Sequence, residues 1–138
     1  MGDRIIWDFV VPGTPRSLQA KGPGKAKWKQ KVRECATNGL HSSMFPCLDT
    51  VSVSVVFFHL TETLDMDNML KPILDGIYPE VILDDAMIQD ISGSRRDISE
   101  EIAFKNPPEC IIEPLGMGEP FVYVAIAVAM DKRELPWI

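Results

Sequence analysis

The 138-residue sequence predicts an α+β domain: a mixed β-sheet with two main helices in the order β-α-β-α-β-β. Three observations predict it. Residues 51–60 set Val51, Val53, Val55 and Phe57 on one side of a strand and Ser52, Ser54, Val56 and Phe58 on the other. Residues 68–78 place Leu70, Ile73, Leu74 and Ile77 at i, i+3, i+4 and i+7, which is one apolar helical stripe. Residues 121–129 are apolar throughout, the pattern of a strand buried on both faces.

The remaining elements follow in order. Residues 4–11 carry Ile5, Ile6, Trp7, Phe9, Val10 and Val11, all β-formers, and read as the first strand. Three prolines and three glycines make 12–24 a loop, and Arg16 and Lys21 make it basic. Residues 26–40 read as a helix, with Trp28, Val32, Cys35 and Ala36 at helical spacing and Gly39 as its stop. Residues 81–83 form a short extended run ending in Asp84-Asp85, and 88–98 a further extended segment. Four prolines and two glycines make 105–120 a long loop. The tail 131–138 is charged at its start and ends Leu135-Pro136-Trp137-Ile138. The length suits a single domain over 1–138.

Composition narrows the function. The longest apolar run, residues 121–130, falls short of the roughly 20 residues a membrane helix needs. The N-terminus has no signal-peptide pattern, so the expectation is a soluble cytoplasmic protein with no membrane partner. Cys35, Cys47 and Cys110 are widely spaced, and His41 and His59 are isolated, which points away from a disulfide framework or a zinc site. The formal net charge of −6 is unevenly spread. Residues 1–33 hold eight basic and two acidic side chains; the rest hold six and eighteen. Lys25, Lys29 and Arg33 recur every four residues on one helical face, beside Arg16 and Lys21 of the loop. This basic third is the expected nucleic-acid-binding segment, although an acidic whole disfavours non-specific DNA binding.

Eleven acids and only three basic residues occur between Glu62 and Glu101. Crowded carboxylates repel unless a cation sits among them, and magnesium, a hard ion, prefers oxygen ligands. Asp65 lies where the strand gives way to the next helix. If 65–67 are extended, Asp65 and Asp67 point the same way. Lys71 and Asp75 follow at steps of four, on the face opposite the apolar stripe. Taken singly, an Asp-x-Asp, an Asp-Asp and a helical lysine are ordinary turn and surface features. An EF-hand fails, because no third Asp at the fifth loop position and no Glu at the twelfth follow Asp65. Their conjunction is what points to a metal site of Asp65, Asp67 and Asp85.

The run Asp65-x-Asp67-Asn68-x-x-Lys71-Pro72-x-Leu74-Asp75, followed by Leu83-Asp84-Asp85-Ala86, resembles the signature of the RusA family of Holliday junction resolvases. The match is close over 65–85; elsewhere only the layout agrees, and Met87 stands where relatives often carry Gln. The resemblance implies a magnesium-dependent endodeoxyribonuclease, with manganese as an alternative ion and no small-molecule cofactor. It implies a homodimer that cuts branched DNA such as Holliday junctions. Asp65, Asp67 and Asp85 would be the catalytic metal ligands and Lys71 the essential lysine. Asp75 and Asp84 match neighbouring acids of the motif, and Arg95 a basic position on the following strand that faces DNA. Two other readings compete: a RusA-like DNA- or protein-binding module without junction-resolving activity, and a metal-dependent phosphatase or nucleotide hydrolase. The basic N-terminal segment favours a polymer over a small substrate.

Overall fold

The computed structural model describes residues 4–15, 23–40, 43–60 and 65–128, with the backbone alone over 23–25. Strand β1 (Arg4–Pro12) leads to helix α1 (Pro23–Thr37), strand β2 (Val51–His59) and helix α2 (Met66–Ile77). A 3-10 turn (Asp85–Met87) opens strand β3 (Ile88–Asp97). A second 3-10 turn (Glu109–Ile111) runs into helix α3 (Ile112–Met117), and strand β4 (Phe121–Val128) closes the order. The fold is α+β, as expected from the sequence, with α3 added between the last two strands.

The four strands form one mixed sheet in the order β1-β4-β2-β3. β4 runs antiparallel to both β1 and β2, which explains its apolar sequence: it is central, and Phe121 to Ala127 are all buried. β2 and β3 are parallel, with Val51 opposite Ile88 and His59 opposite Asp97. A parallel pair needs a crossover, and α2 supplies it. Val51, Val53, Val55 and Phe57 of β2 join Phe9, Val11, Val122, Val124 and Ile126 to form the floor of the main core. Trp28, Val32 and Ala36 of α1 and Met69, Ile73 and Ile77 of α2 pack onto it. Trp7 ties β1 to α1, its indole Nε1 donating to the Ala36 carbonyl at 2.8 Å. The opposite sheet face holds a smaller cluster of Phe58, Ile111, Phe121, Tyr123 and Ala125.

Several boundaries differ from the sequence reading, each for a physical reason. α1 begins at Pro23, inside the expected loop, because a first helical turn leaves its N–H groups unpaired and so tolerates proline. α2 begins at Met66 and centres its buried stripe on Met69, Ile73 and Ile77, with Leu70 and Leu74 flanking it. The expected loop 105–120 contains a helix. Pro114 sits in its first turn, and Gly118 ends it in the left-handed conformation at φ 69°. Ile111 and Leu115 pay for this order by packing on the sheet. The short run 81–83 makes one isolated bridge, Ile82 to Cys47, rather than a strand. The tail 131–138 and residues 16–22 of the basic loop lie outside the described residues. Among the described residues, no helix is long and apolar enough to cross a membrane.

Candidate functional site

The crossover from β2 through α2 to β3 carries every acid of the motif. Asp65 is the N-cap of α2, extended at φ −63° and ψ 139°, and its side chain makes no capping hydrogen bond. Asp67 lies in the first turn of α2. Because the helix starts at Met66, the two carboxylates do not alternate on a strand as expected. Asp65 is extended and Asp67 is helical, and the two stand together at the head of α2. Both are exposed, so their oxygens face solvent.

Lys71 follows Asp67 by one turn, roughly 6 Å further along the helix axis. Its Nζ lies 2.9 Å from Asp75 Oδ1. The hydrogen bond to Asp75, and then the charge of that carboxylate, hold the Lys71 ammonium above its ordinary pKa; the Asp85 charge adds to this. At neutral pH Lys71 is therefore a cationic donor and not a base.

Helix α2 runs antiparallel to β3. Met66 and Leu70 lie against Gly93, where a Cβ would come within 3.0 Å of the Met66 Cε atom. At the other end Lys71, Leu74, Asp75 and Tyr78 share a cleft of about 420 Å³ with Asp85, Ile88 and Ile91. Asp85 thus lines the same cleft as Lys71. Asp84 and Asp85 begin a 3-10 turn rather than end a strand. Asp84 Oδ1 accepts from the Ala86 amide at 2.9 Å. That bond, with the Asp85 side chain second, holds the Asp84 carboxyl below its ordinary value. Among the described residues, no group of three Asp, Glu, His or Cys side chains is placed to hold a metal ion. Asp65 and Asp67 stand at the head of α2, and Asp85 faces the same helix across the cleft from Lys71.

On the basic face of α1, Lys29 and Arg33 are paired with groups of α2 and the segment after it. Lys29 Nζ lies 3.3 Å from Asp75 Oδ2. Arg33 Nη1 donates to both Glu80 carboxylate oxygens, at 3.0 and 2.9 Å, and its Nη2 donates to the Asp75 carbonyl at 3.1 Å. Both side chains are turned toward α2 and the segment after it. Burial alone would raise the Asp75 carboxyl, but its bonds to Lys71 and Lys29 outweigh this and lower it. Lys31 lies over the Trp28 ring, 5.9 Å from its centroid. The Lys25 side chain, Arg16 and Lys21 lie outside the described residues. Arg95 is exposed on β3, opposite Phe57 of β2.

A larger cavity, about 570 Å³, opens on the other face of the sheet among Ser52, Ser54, Ser92, Ala125 and Tyr123, with Asp90 its acidic residue. Tyr123 Oη donates to Asp8 Oδ2 at 2.9 Å beside it. Burial, with Asp8 second, pushes the nearby Cys110 thiol up to about 11, so it is not a thiolate at neutral pH. The three cysteines are free. The motif acids lie elsewhere, and the smaller cleft at Lys71 is the candidate site.

No protein-family model matches the chain, and no curated protein is significantly similar to it. Sequence reasoning missed two residues of this region. Glu80 anchors Arg33 from 47 positions away, a spacing with no periodic signal. Tyr78 lines the cleft as the first residue past α2, where an exposed aromatic gives no local pattern.

Proposed function

We propose that the chain is a RusA-like, magnesium-dependent and structure-selective endodeoxyribonuclease that hydrolyses phosphodiesters in branched DNA such as Holliday junctions. The observation that carries this reading is the placement of Lys71: one turn beyond Asp67 on α2, and across a cleft from Asp85. A charged donor set among carboxylates suits a phosphodiester, which needs its negative charge held and a water delivered. Homodimerisation, which would match the two-fold symmetry of a junction, and a cytoplasmic location belong to the same proposal.

The donor chemistry fits a hard divalent cation. Asp65, Asp67 and Asp85 are exposed carboxylates, and Asp65 spends no oxygen on capping. Magnesium is commonly held by one or two carboxylates with waters and substrate phosphate completing its shell, so the pair at the head of α2 is a sufficient anchor. When bound, magnesium would polarise the phosphate and acidify a bound water. The chain's own groups do the rest. The unpaired amides of the first turn of α2 offer donors to a phosphate oxygen. Lys71 holds a second oxygen and stabilises the charge that develops on it. Leu74, Ile88 and Ile91 form the apolar part of the cleft beside Lys71.

The test is incubation with a synthetic four-way junction and a linear duplex, with and without magnesium. Junction nicks that require magnesium, with the duplex intact, are the expected result. The competing reading is a binding module without cleavage. Junction binding with no cleavage in magnesium or manganese would establish it instead.

Lys29 and Arg33 are committed to α2, so the salt dependence of DNA binding is expected to come from Arg16, Lys21 and Lys25. Changing these three to alanine should flatten the log affinity against log salt plot by roughly 0.9 per lost phosphate contact. A salt titration of junction binding measures it. An unaltered slope would place the DNA on another surface.

A further inference from the structure

Asp75 is held at three points. Its Oδ1 faces Lys71 Nζ at 2.9 Å, its Oδ2 faces Lys29 Nζ at 3.3 Å, and its carbonyl accepts from Arg33 Nη2 at 3.1 Å. Lys71 belongs to the same helix as Asp75; Lys29 and Arg33 reach it from α1. Exposed ion pairs of this kind add little to stability, so stability is a poor reason for the arrangement. Orientation is a better one. A carboxylate with one ammonium on each oxygen cannot rotate without losing a partner. The helices are also in close approach at the next residue. A Cβ at Gly76 would lie 3.1 Å from Val32 Cβ and 3.4 Å from the Arg33 amide nitrogen. The backbone that carries Lys29 is therefore fixed relative to Asp75.

We propose that Lys29 is a positioning residue for Lys71, acting through the Asp75 carboxylate between them. This rests on the reading above, in which Lys71 holds the scissile phosphate. Lys29 fixes Oδ2, so only Oδ1 is presented to Lys71, and the Lys71 ammonium is held on the side of the cleft that contains Asp85. Without Lys29 the carboxylate turns freely and can take Lys71 with both oxygens, which draws the ammonium away from the phosphate. Misplacement of a reacting group by about 1 Å can cost on the order of 100-fold in rate, so a partial loss of orientation is expected to cost less. Lys29 is accordingly not a DNA contact, although its place on a basic helical face suggests one.

The test compares wild type, Lys29→Met and Lys29→Arg by two readouts. With a four-way junction, Lys29→Met is expected to lower kcat about tenfold, with KM and the salt dependence of binding unchanged. Lys29→Arg should restore most of the loss, since a guanidinium also reaches Asp75. Side-chain NMR of the Lys71 ammonium, assigned with Lys71→Arg, needs no activity. Its resonance should move in Lys29→Met and return toward the wild-type position in Lys29→Arg. The amide spectrum checks that each variant is folded. An unmoved Lys71 resonance in Lys29→Met overturns the proposal whatever the cleavage result. So does a rise in KM with a flatter salt slope at unchanged kcat, which would make Lys29 a phosphate contact. Should wild type cleave no substrate, the nuclease reading fails, and the NMR response alone decides whether Lys29 positions Lys71.

Discussion

Replacing Lys71 with alanine is expected to cut junction cleavage by on the order of 100-fold or more while leaving the fold intact. The two halves of this expectation have separate causes. Lys71 is exposed on α2, its side chain 52% accessible, and its ammonium pairs with Asp75. Its removal opens no cavity, and a surface change of this sort moves stability by about 0.5 kcal/mol or less. The rate effect comes from charge. Asp75 keeps Lys71 protonated well above neutral pH, so it meets a phosphate as a full cation in a partly walled cleft. The developing negative charge then loses its nearest fixed donor. Single-turnover cleavage, with thermal unfolding as control, measures both. A variant that cleaves as fast as wild type would reduce Lys71 to a surface ion pair with Asp75. A variant that unfolds would place it in the structural framework instead.

The fold was largely legible because its core obeys simple periods. Val51, Val53, Val55 and Phe57 alternate, and Ile73 and Ile77 repeat by one helical turn, so the faces they bury follow from spacing. What misled was punctuation. Pro23 and Pro114 look like breakers, yet each sits in a first helical turn where the missing N–H costs nothing. The candidate site was legible in its members but not in its arrangement. Asp67, Lys71 and Asp75 share a helix, so their order along α2 could be read directly. Where Asp85 meets that helix depends on how far β3 slides along β2, a long-range register that no local pattern encodes. The pairing of Lys29 and Arg33 with Asp75 and Glu80 is of the same kind. The basic stripe was visible, but its partners lie 42 to 47 positions away at Arg33, so the face looked free for DNA.

That long-range packing gives the second large effect, Gly76→Ala. In an open helix interior this change stabilises by roughly 0.5–1 kcal/mol, because alanine loses less backbone entropy than glycine. The expected sign here is the reverse. Gly76 lies in the buried stripe of α2, and an added Cβ would overlap the Val32 side chain of α1. Val32 is fully buried, and the Arg33 amide lies behind it, so the methyl group cannot be absorbed by a flexible side-chain tip. The helices must separate, and overpacking of this type costs about 1–3 kcal/mol. Val32→Ala removes the colliding methyl groups and leaves a gap of its own. The pair Gly76→Ala with Val32→Ala should therefore lose less than the sum of the single changes, by on the order of 1 kcal/mol in a double-mutant cycle. Urea unfolding of the four proteins gives the cycle, provided their m-values agree. The same separation draws Lys29 and Arg33 of α1 away from Asp75, so Gly76→Ala should also shift the Lys71 ammonium resonance in the direction seen for Lys29→Met. A Gly76→Ala variant as stable as wild type would mean that α1 and α2 do not approach this closely, and the anchoring of Asp75 from α1 would lose its geometric basis.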